Sequence, residues 1–488
     1  MRRNSQMRGN RASELSLYSV FSVLVGLILS PSPFAAEIGS ANEAEVEDAC
    51  AAQRPEINFN RWREDWGVLA DPCVKREPFD SLKYIPLSDD PAYYLSLGFN
   101  LRDRLEVNNA AMFGVNSYQP DSYIIQRAEI HADLRLGDQV QIFTQLFDAK
   151  AYQKKVLTPV DENPLDLEQA FITITEKFDD GALKWRLGRQ EMAFDLQRFV
   201  SVRDGPNIRQ AFDAAWVDWE SDSLRVIGFA SQPVQYANVS DFDDYSDRHL
   251  RFNGLRVEKK NFVFGEVSFY LAQFDRDNAV YLNASGQERR DVLDLHNSGK
   301  LASFDWDVEV MDQAGSVGTK TISAWAIGSV VGYSIPDFAW HPHLALQFDA
   351  ASGNRHSGNG DLGTFNPLFP NGYYFSQAGY SGDSNIIHLK PTISFAPNAS
   401  LNLMGGVGLQ WRETIADAVY AQGPVAVPNT AGRGERWTGI YEQVRAEQKF
   451  SKNLFGSVEA VHFQVGDTLR QAGGGNSNYL GIELKYCW

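Results

Sequence analysis

Beyond Glu37 the 488-residue sequence has no apolar run that approaches the length of a membrane-crossing helix, which needs about 20 residues. A membrane protein built from it must therefore cross as a closed β-barrel, whose backbone groups are satisfied between strands. Cysteine is scarce, with three in the chain, and neither a C-x-x-C pair nor a histidine-rich set is present. A structural zinc is not expected, and no metal or cofactor is called for. There is no G-x-S-x-G nucleophile elbow, so the chain is not expected to be an enzyme. Positive charge is also in deficit. The formal net charge is −17; residues 1–36 carry +3 from four Arg and one Glu, which leaves −20 on the remainder. That balance excludes nucleic acid as a bulk electrostatic partner. Lysine is the rarer base, at 15 against 30 Arg. Codon bias explains that ratio as well as a need for planar carboxylate contacts does.

What the chain does have is a closing strand. Over residues 479–488, Leu480, Ile482, Leu484, Tyr486 and Trp488 alternate with Gly481, Glu483, Lys485 and Cys487. Side chains alternate along a strand with period two, so one face is apolar and the other polar. An aromatic end on such a strand fits the last strand of a bacterial outer-membrane barrel, with its aromatics at the interface girdle. The opposite terminus agrees. Arg2, Arg3, Arg8 and Arg11 precede an apolar stretch over 15–29, and Pro31-Ser32-Pro33-Phe34-Ala35-Ala36 supplies small residues before Glu37. This is a secretory signal pattern over residues 1–36. Residues 37–90 read as a periplasmic N-terminal extension, with a plug as the alternative, and 91–488 as the transmembrane barrel.

The turn signals set the layout. Gly137-Asp138, Asp179-Asp180-Gly181, Ser221-Asp222-Ser223, Lys260-Asn261, Pro397-Asn398 and Lys452-Asn453 are short. The polar stretches between them are longer: 108–121, 149–164, 192–211, 233–247, 275–287, 352–384, 414–434 and 466–476. Short turns at one end and long loops at the other make an up-and-down barrel of about 18 antiparallel strands, all-β, with both chain ends in the periplasm. The roughly 40-residue spacing also fits a propeller, but no blade motif repeats.

The polar faces are the candidate bore. In 124–136, Arg127, Glu129, His131, Asp133 and Arg135 share one face and apolar residues the other. Arg186 and Arg189, three apart, point to opposite faces unless the strand bulges or ends between them. Arg203 and Arg209 flank Gly205-Pro206, a turn able to fold its loop inward and narrow the bore. The alternative is that Arg203 pairs with Asp204 or Glu191 and stiffens the loop. In the longest loop, Phe365, Leu368 and Phe369 supply anchors and Asn366-Pro367 a turn; the loop gates the bore or caps it from outside. Cys50 and Cys73 are expected to form a disulfide in an oxidising periplasm. Asp241, Asp243, Asp244 and Asp247 read as a solvated loop before a calcium site.

Several strings resemble the alginate-export outer-membrane porins: Leu187-Gly188-Arg189-Gln190-Glu191, the run from Ser201 to Arg209, the run from Thr364 to Pro370, and Phe59-Asn60-Arg61-Trp62-Arg63-Glu64-Asp65-Trp66. The resemblance covers nearly the whole chain after the signal. It implies an 18-stranded barrel in the outer membrane of a Gram-negative bacterium, with an arginine-rich constriction that passes an anionic polysaccharide such as alginate. The expected pore-lining residues are Arg127, Arg135, Arg189, Arg203 and Arg209, and the expected gate is Phe365, Asn366, Pro367, Leu368 and Phe369. The expected partners are outer-membrane lipid and a hydrophilic solute. No periplasmic export component is named by the sequence. A structural or adhesive barrel with an occluded lumen and a general diffusion porin are the competing readings.

Overall fold

A computed structural model describes residues 53–115, 119–356, 360–423 and 425–488. Eighteen long antiparallel strands form one closed sheet. The first six are β1 (Tyr93–Asn108), β2 (Asp121–Leu136), β3 (Val140–Tyr152), β4 (Asn163–Phe178), β5 (Gly181–Glu191) and β6 (Ala211–Glu220). The middle six are β7 (Leu224–Gln235), β8 (Leu250–Phe262), β9 (Gly265–Val280), β10 (Ser285–Leu301), β11 (Phe304–Val317) and β12 (Lys320–Ser334). The last six are β13 (His343–Ala351), β14 (Ile386–Asn398), β15 (Leu401–Trp411), β16 (Trp437–Lys449), β17 (Leu454–Val465) and β18 (Ser477–Cys487). Each pairs with the next, and β18 closes the barrel on β1, with Arg104 opposite Glu483 and Leu101 opposite Tyr486. Closure leaves no free sheet edge.

Alternation decides which residues meet lipid. On β1 every second residue from Tyr94 to Asn108 is buried inside, Asn100, Arg102, Arg104 and Glu106 among them. On the outside, Ile130, Leu187, Leu271 and Leu295 are about half exposed, an apolar band suited to hydrocarbon.

The short turns fall largely where expected, at 137–139, 179–180, 221–223 and 450–453. Two differ. β8 runs through Lys260-Asn261 to Phe262, and its register shifts between Lys259 and Phe262; Asn261 there has φ 56°. β14 runs through Pro397-Asn398 in the same way, shifting between Phe395 and Asn398. Asparagine tolerates left-handed backbone in a bulge as readily as in a turn, so the signal was displaced by a few residues. At the other end, the loop expected over 275–287 shrinks to 281–284, because Val280 still pairs with Ser285. Gly318-Thr319 makes a two-residue turn there that lies outside the expected set.

Residues 54–90, expected as a periplasmic extension, pack into the near end of the bore against β1–β5. Short 3₁₀ turns at Arg61–Arg63 and Trp66–Ala70 precede helix α1 (Asp80–Lys83). The Arg61 guanidinium donates to Asn100 Oδ1 at 2.6 Å. Arg135 and Gln141 donate to the Trp62 carbonyl at 2.7 and 2.8 Å, and the Arg186 guanidinium stacks 3.8 Å from the Trp62 ring. The carboxy-terminal aromatic joins this contact instead of facing lipid alone. Trp488 pairs by its backbone with Phe99, while Lys83 Nζ stands 4.4 Å from its ring. Cys487 is free and buried. Cys73 is disulfide-bonded; its expected partner Cys50, like the signal segment 1–36, lies outside the described residues.

Candidate functional site

Two loops fold into the bore and meet. Loop 192–210 joins β5 to β6, and loop 352–385 joins β13 to β14. Val200 and Phe369 form a parallel bridge: Ser201 N–H donates to the Phe369 carbonyl at 3.0 Å and Phe369 N–H to the Phe199 carbonyl at 2.9 Å. The Phe369 ring lies 4.9 Å from Phe212 and 5.3 Å from Phe252, both on the inner wall. Phe365 packs against Phe199 at 5.3 Å. Asn366 exchanges hydrogen bonds with Gln313 on β11, at 2.7 and 3.1 Å. Pro367 and Leu368 are buried beside them. The five residues expected to gate the bore are thus the ones that fasten the longest loop inside it. A strictly polar lumen, as the alternating strands had suggested, is not what is found. Phe, Ile, Val and Ala from β6–β14 and the two loops make a continuous apolar core within the barrel.

The opposite wall, β18 with β1 and β2, is charged. Arg102 donates to the Asp204 and Pro206 carbonyls and to Asn207 Oδ1, and Arg104 to the Gly205 carbonyl at 2.9 Å. Arg104 also bridges Glu106 at 2.6 Å and Glu483 at 3.1 Å. These bonds capture the turn at Gly205-Pro206 and hold it against the wall. Tyr373 of the other loop lies over the Arg104 guanidinium at 4.9 Å.

The predicted arginines separate. Arg127 and Arg209 come together: Arg127 bridges Glu129 at 2.9 Å and also Asp204, and Arg209 bridges Glu191 at 2.9 Å and Glu129 at 3.4 Å. Arg203 enters the bore but bridges neither Asp204 nor Glu191. Its guanidinium donates to Gln210 Oε1 at 3.2 Å and lies 5.8 Å from the Phe369 ring. Arg135 serves the N-terminal segment at the periplasmic end and bridges Asp133 at 2.9 Å. Arg189 is on the outer face, a correction to its expected place in the bore. Period two puts Arg186 inside on the Trp62 and Phe171 rings and Arg189 outside, 3.0 Å from Asp213. Arg102 and Arg104 were missed, although Asn100, Arg102, Arg104 and Glu106 show the same two-residue period as the set that includes Arg127. Arg198, which bridges Asp307 at 2.6 Å, had no such signal, because a loop carries no periodicity.

The charged wall is close to neutral. Glu106, Glu129, Glu191, Glu483 and Asp204 answer Arg102, Arg104, Arg127 and Arg209. Burial alone would raise the Asp204 carboxyl, but the guanidinium charges of Arg127, Arg209 and Arg102 and the ammonium of Lys485 hold it well below the ordinary carboxylate range. Arg127 Nη1 and Arg209 Nη2 are buried without an acceptor, while both oxygens of the neighbouring Glu168 are buried without a donor, so the guanidinium groups of the cluster are not fully bonded in this arrangement. A cavity of about 440 Å³ opens at the periplasmic end and reaches this cluster through Glu483 and Lys485.

The Alginate export family model matches residues 93–483. No curated protein matches the sequence. Among solved structures, Acinetobacter baumannii OccAB4 superposes with a TM-score of 0.54 at 10% identity, over 80% of this chain and 97% of that one. Acinetobacter baumannii OccAB1 gives 0.53 at 11% identity, over 84% and 99%. Pseudomonas aeruginosa OccK2 (OpdF), solved in complex with glucuronate, gives 0.52 at 10% identity, over 80% and 97%. At these identities the likeness is one of fold.

Proposed function

The chain belongs to the Alginate export family, and from that membership we propose that this outer-membrane channel passes uronate-bearing solutes, polymeric alginate included. The observation that carries the reading is the unfilled donor capacity of Arg127 and Arg209 beside Asp204. In the closed arrangement Asp204 acts as the resident counter-ion of the arginines. A uronate carboxylate entering the bore competes for the same guanidinium groups, since charge-assisted bonds of this kind are bidentate and geometrically selective. Displacement of the Asp204 carboxylate removes its bonds to Arg127 and Arg209, which loosens the turn at Gly205-Pro206 that Arg102 and Arg104 still hold. Glucuronate is the ligand bound in the OccK2 structure, which supports a uronate as the ligand class proposed for this chain.

Planar-bilayer recording tests the proposal. Glucuronate and short alginate oligomers should block or modulate the current of the purified barrel at concentrations at which glucose has no effect. Equal responses to the charged and neutral sugars would refute it. A permanently closed structural barrel is the second reading, favoured by the apolar seating of both loops. It requires that wild-type protein give no conductance at all.

A further inference from the structure

Away from the arginine cluster, loop 192–210 touches the barrel wall at a second group of ionisable residues. Carboxylate oxygens of Asp195 in the loop, Asp294 on β10 and Glu309 on β11 all lie within 4.8 Å of one another. Asp294 is fully buried, Glu309 is 1% exposed, and neither oxygen of Asp294 has a hydrogen-bond partner. The hydroxyl of Tyr270, directly across from Asp294 on β9, is likewise buried and unpartnered. An unpaired carboxylate in a dry site is costly, and buried polar atoms left open in this way call for an explanation.

The charges nearby do not balance. Arg256 forks onto Asp195 at 2.5 and 2.7 Å and bridges Glu258 at 2.8 Å. Arg198 bridges Asp307 at 2.6 Å and Glu309 at 3.1 Å. His296 stands between Asp195 and Asp307, 2.9 Å from each. Six carboxylates (Asp195, Asp218, Glu258, Asp294, Asp307 and Glu309) thus face three guanidinium groups, those of Arg198, Arg225 and Arg256, and one imidazole. Even with His296 protonated, two negative charges remain.

We propose that Asp294, Glu309 and Asp195 bind one calcium ion, which ties loop 192–210 to β10 and β11. One divalent cation neutralises the surplus. Hard oxygen donors are what calcium takes, at bond lengths of about 2.3–2.6 Å. Ligands on opposite sides of such an ion stand about 5 Å apart, so oxygens that all lie within 4.8 Å of one another can share it. The Tyr270 hydroxyl is placed to bond a calcium-bound carboxylate or water. The ion would fix the loop whose other end presents Asp204 and Arg209 to the bore.

The test is calorimetric titration of calcium chloride into the full-length barrel, purified in detergent, stripped with EGTA and exchanged into chelator-free buffer. One calcium should bind per barrel. D294N and E309Q should each weaken binding at least tenfold. Both replacements remove surplus negative charge, so both should fold, as judged by heat-modifiable mobility. Calcium should raise the Tm of the wild type and leave that of D294N unchanged. D243N, in a separate acidic group with Asp166 and Asp244, should bind as the wild type does. No calcium uptake by the wild type would overturn the proposal and favour two buried protons as the neutralising charges. Uptake unaffected by D294N and E309Q, or abolished by D243N, would overturn it as well.

Discussion

The two inner walls of the barrel hold the same pair of loops by opposite means. Along β6–β14 the contact is mainly apolar, with the ion pairs of Asp195 and Arg198 to β8, β10 and β11 at one place along it: Phe369 sits among Phe212, Phe252 and Phe274, and Met311, Ile322 and Ala324 continue the surface. Along β18, β1 and β2 it is ionic, through Arg102, Arg104 and Arg127 onto the backbone and side chain of residues 204–207. Apolar burial is nondirectional and has no soluble competitor of low mass. Ion pairs exchange partners with any carboxylate that can reach them. Under the proposed function, one wall would serve as a hinge and the other as a latch that an anionic solute opens.

The largest effect should come from breaking the hinge. Phe369→Ala removes a buried ring from the centre of the apolar wall and should cost about 3–5 kcal/mol, read as a lower temperature for the heat-modifiable shift. The same variant should raise single-channel conductance. Unchanged conductance would mean the ionic wall holds the loops alone.

The latch should respond next. Arg209→Gln removes a cation bonded to Glu129 and Glu191. Uronate block should weaken about tenfold, or about 1.4 kcal/mol, and the reversal potential in a salt gradient should move towards cations. If neutral-sugar controls shift equally, the latch is steric and the comparison between the walls fails.

A smaller effect concerns the segment packed beneath the charged wall. Burial first, and then the Arg61 charge, push the Lys83 amine down to about 7. An unfolded lysine holds its proton to about 10.4, so between pH 7 and 10 the released segment binds more protons than the docked one. Docking should strengthen as pH rises through that window, by up to about 1.4 kcal/mol per pH unit. Limited proteolysis of residues 54–90 should slow from pH 7 to pH 10 in the wild type. In Lys83→Met the rate should not vary with pH.

The smallest effect is expected outside both walls. Arg189→Gln loses a contact to Asp213 on the outer face and should leave ion selectivity where it was. A shift as large as that of Arg209→Gln would place Arg189 in the path after all.

Much of the barrel is legible in the sequence. The β18 alternation, the turn spacing and the mixed-charge face of β2 point to an 18-strand barrel and to the inward positions of Arg127 and Glu129, because a strand's period of two fixes the face of every residue. The same rule, applied to Arg186 and Arg189, sets them on opposite faces, and only the choice between them needed the structure. Arg203 and Arg209 defeat any such rule, since a loop has no period.

The sequence by itself determined the class of protein, a strand number of about 18, the lipid-facing surface and many of the strand residues that turn inward, all of which follow from local alternation and turn chemistry. Tertiary structure alone decided that Phe369 crosses the lumen to Phe212, that Asp204 lies between Arg127 and Arg209, and that residues 54–90 enter the bore. Those contacts join positions up to several hundred residues apart. They depend on the curvature that brings distant strands face to face, and no short-range pattern encodes it.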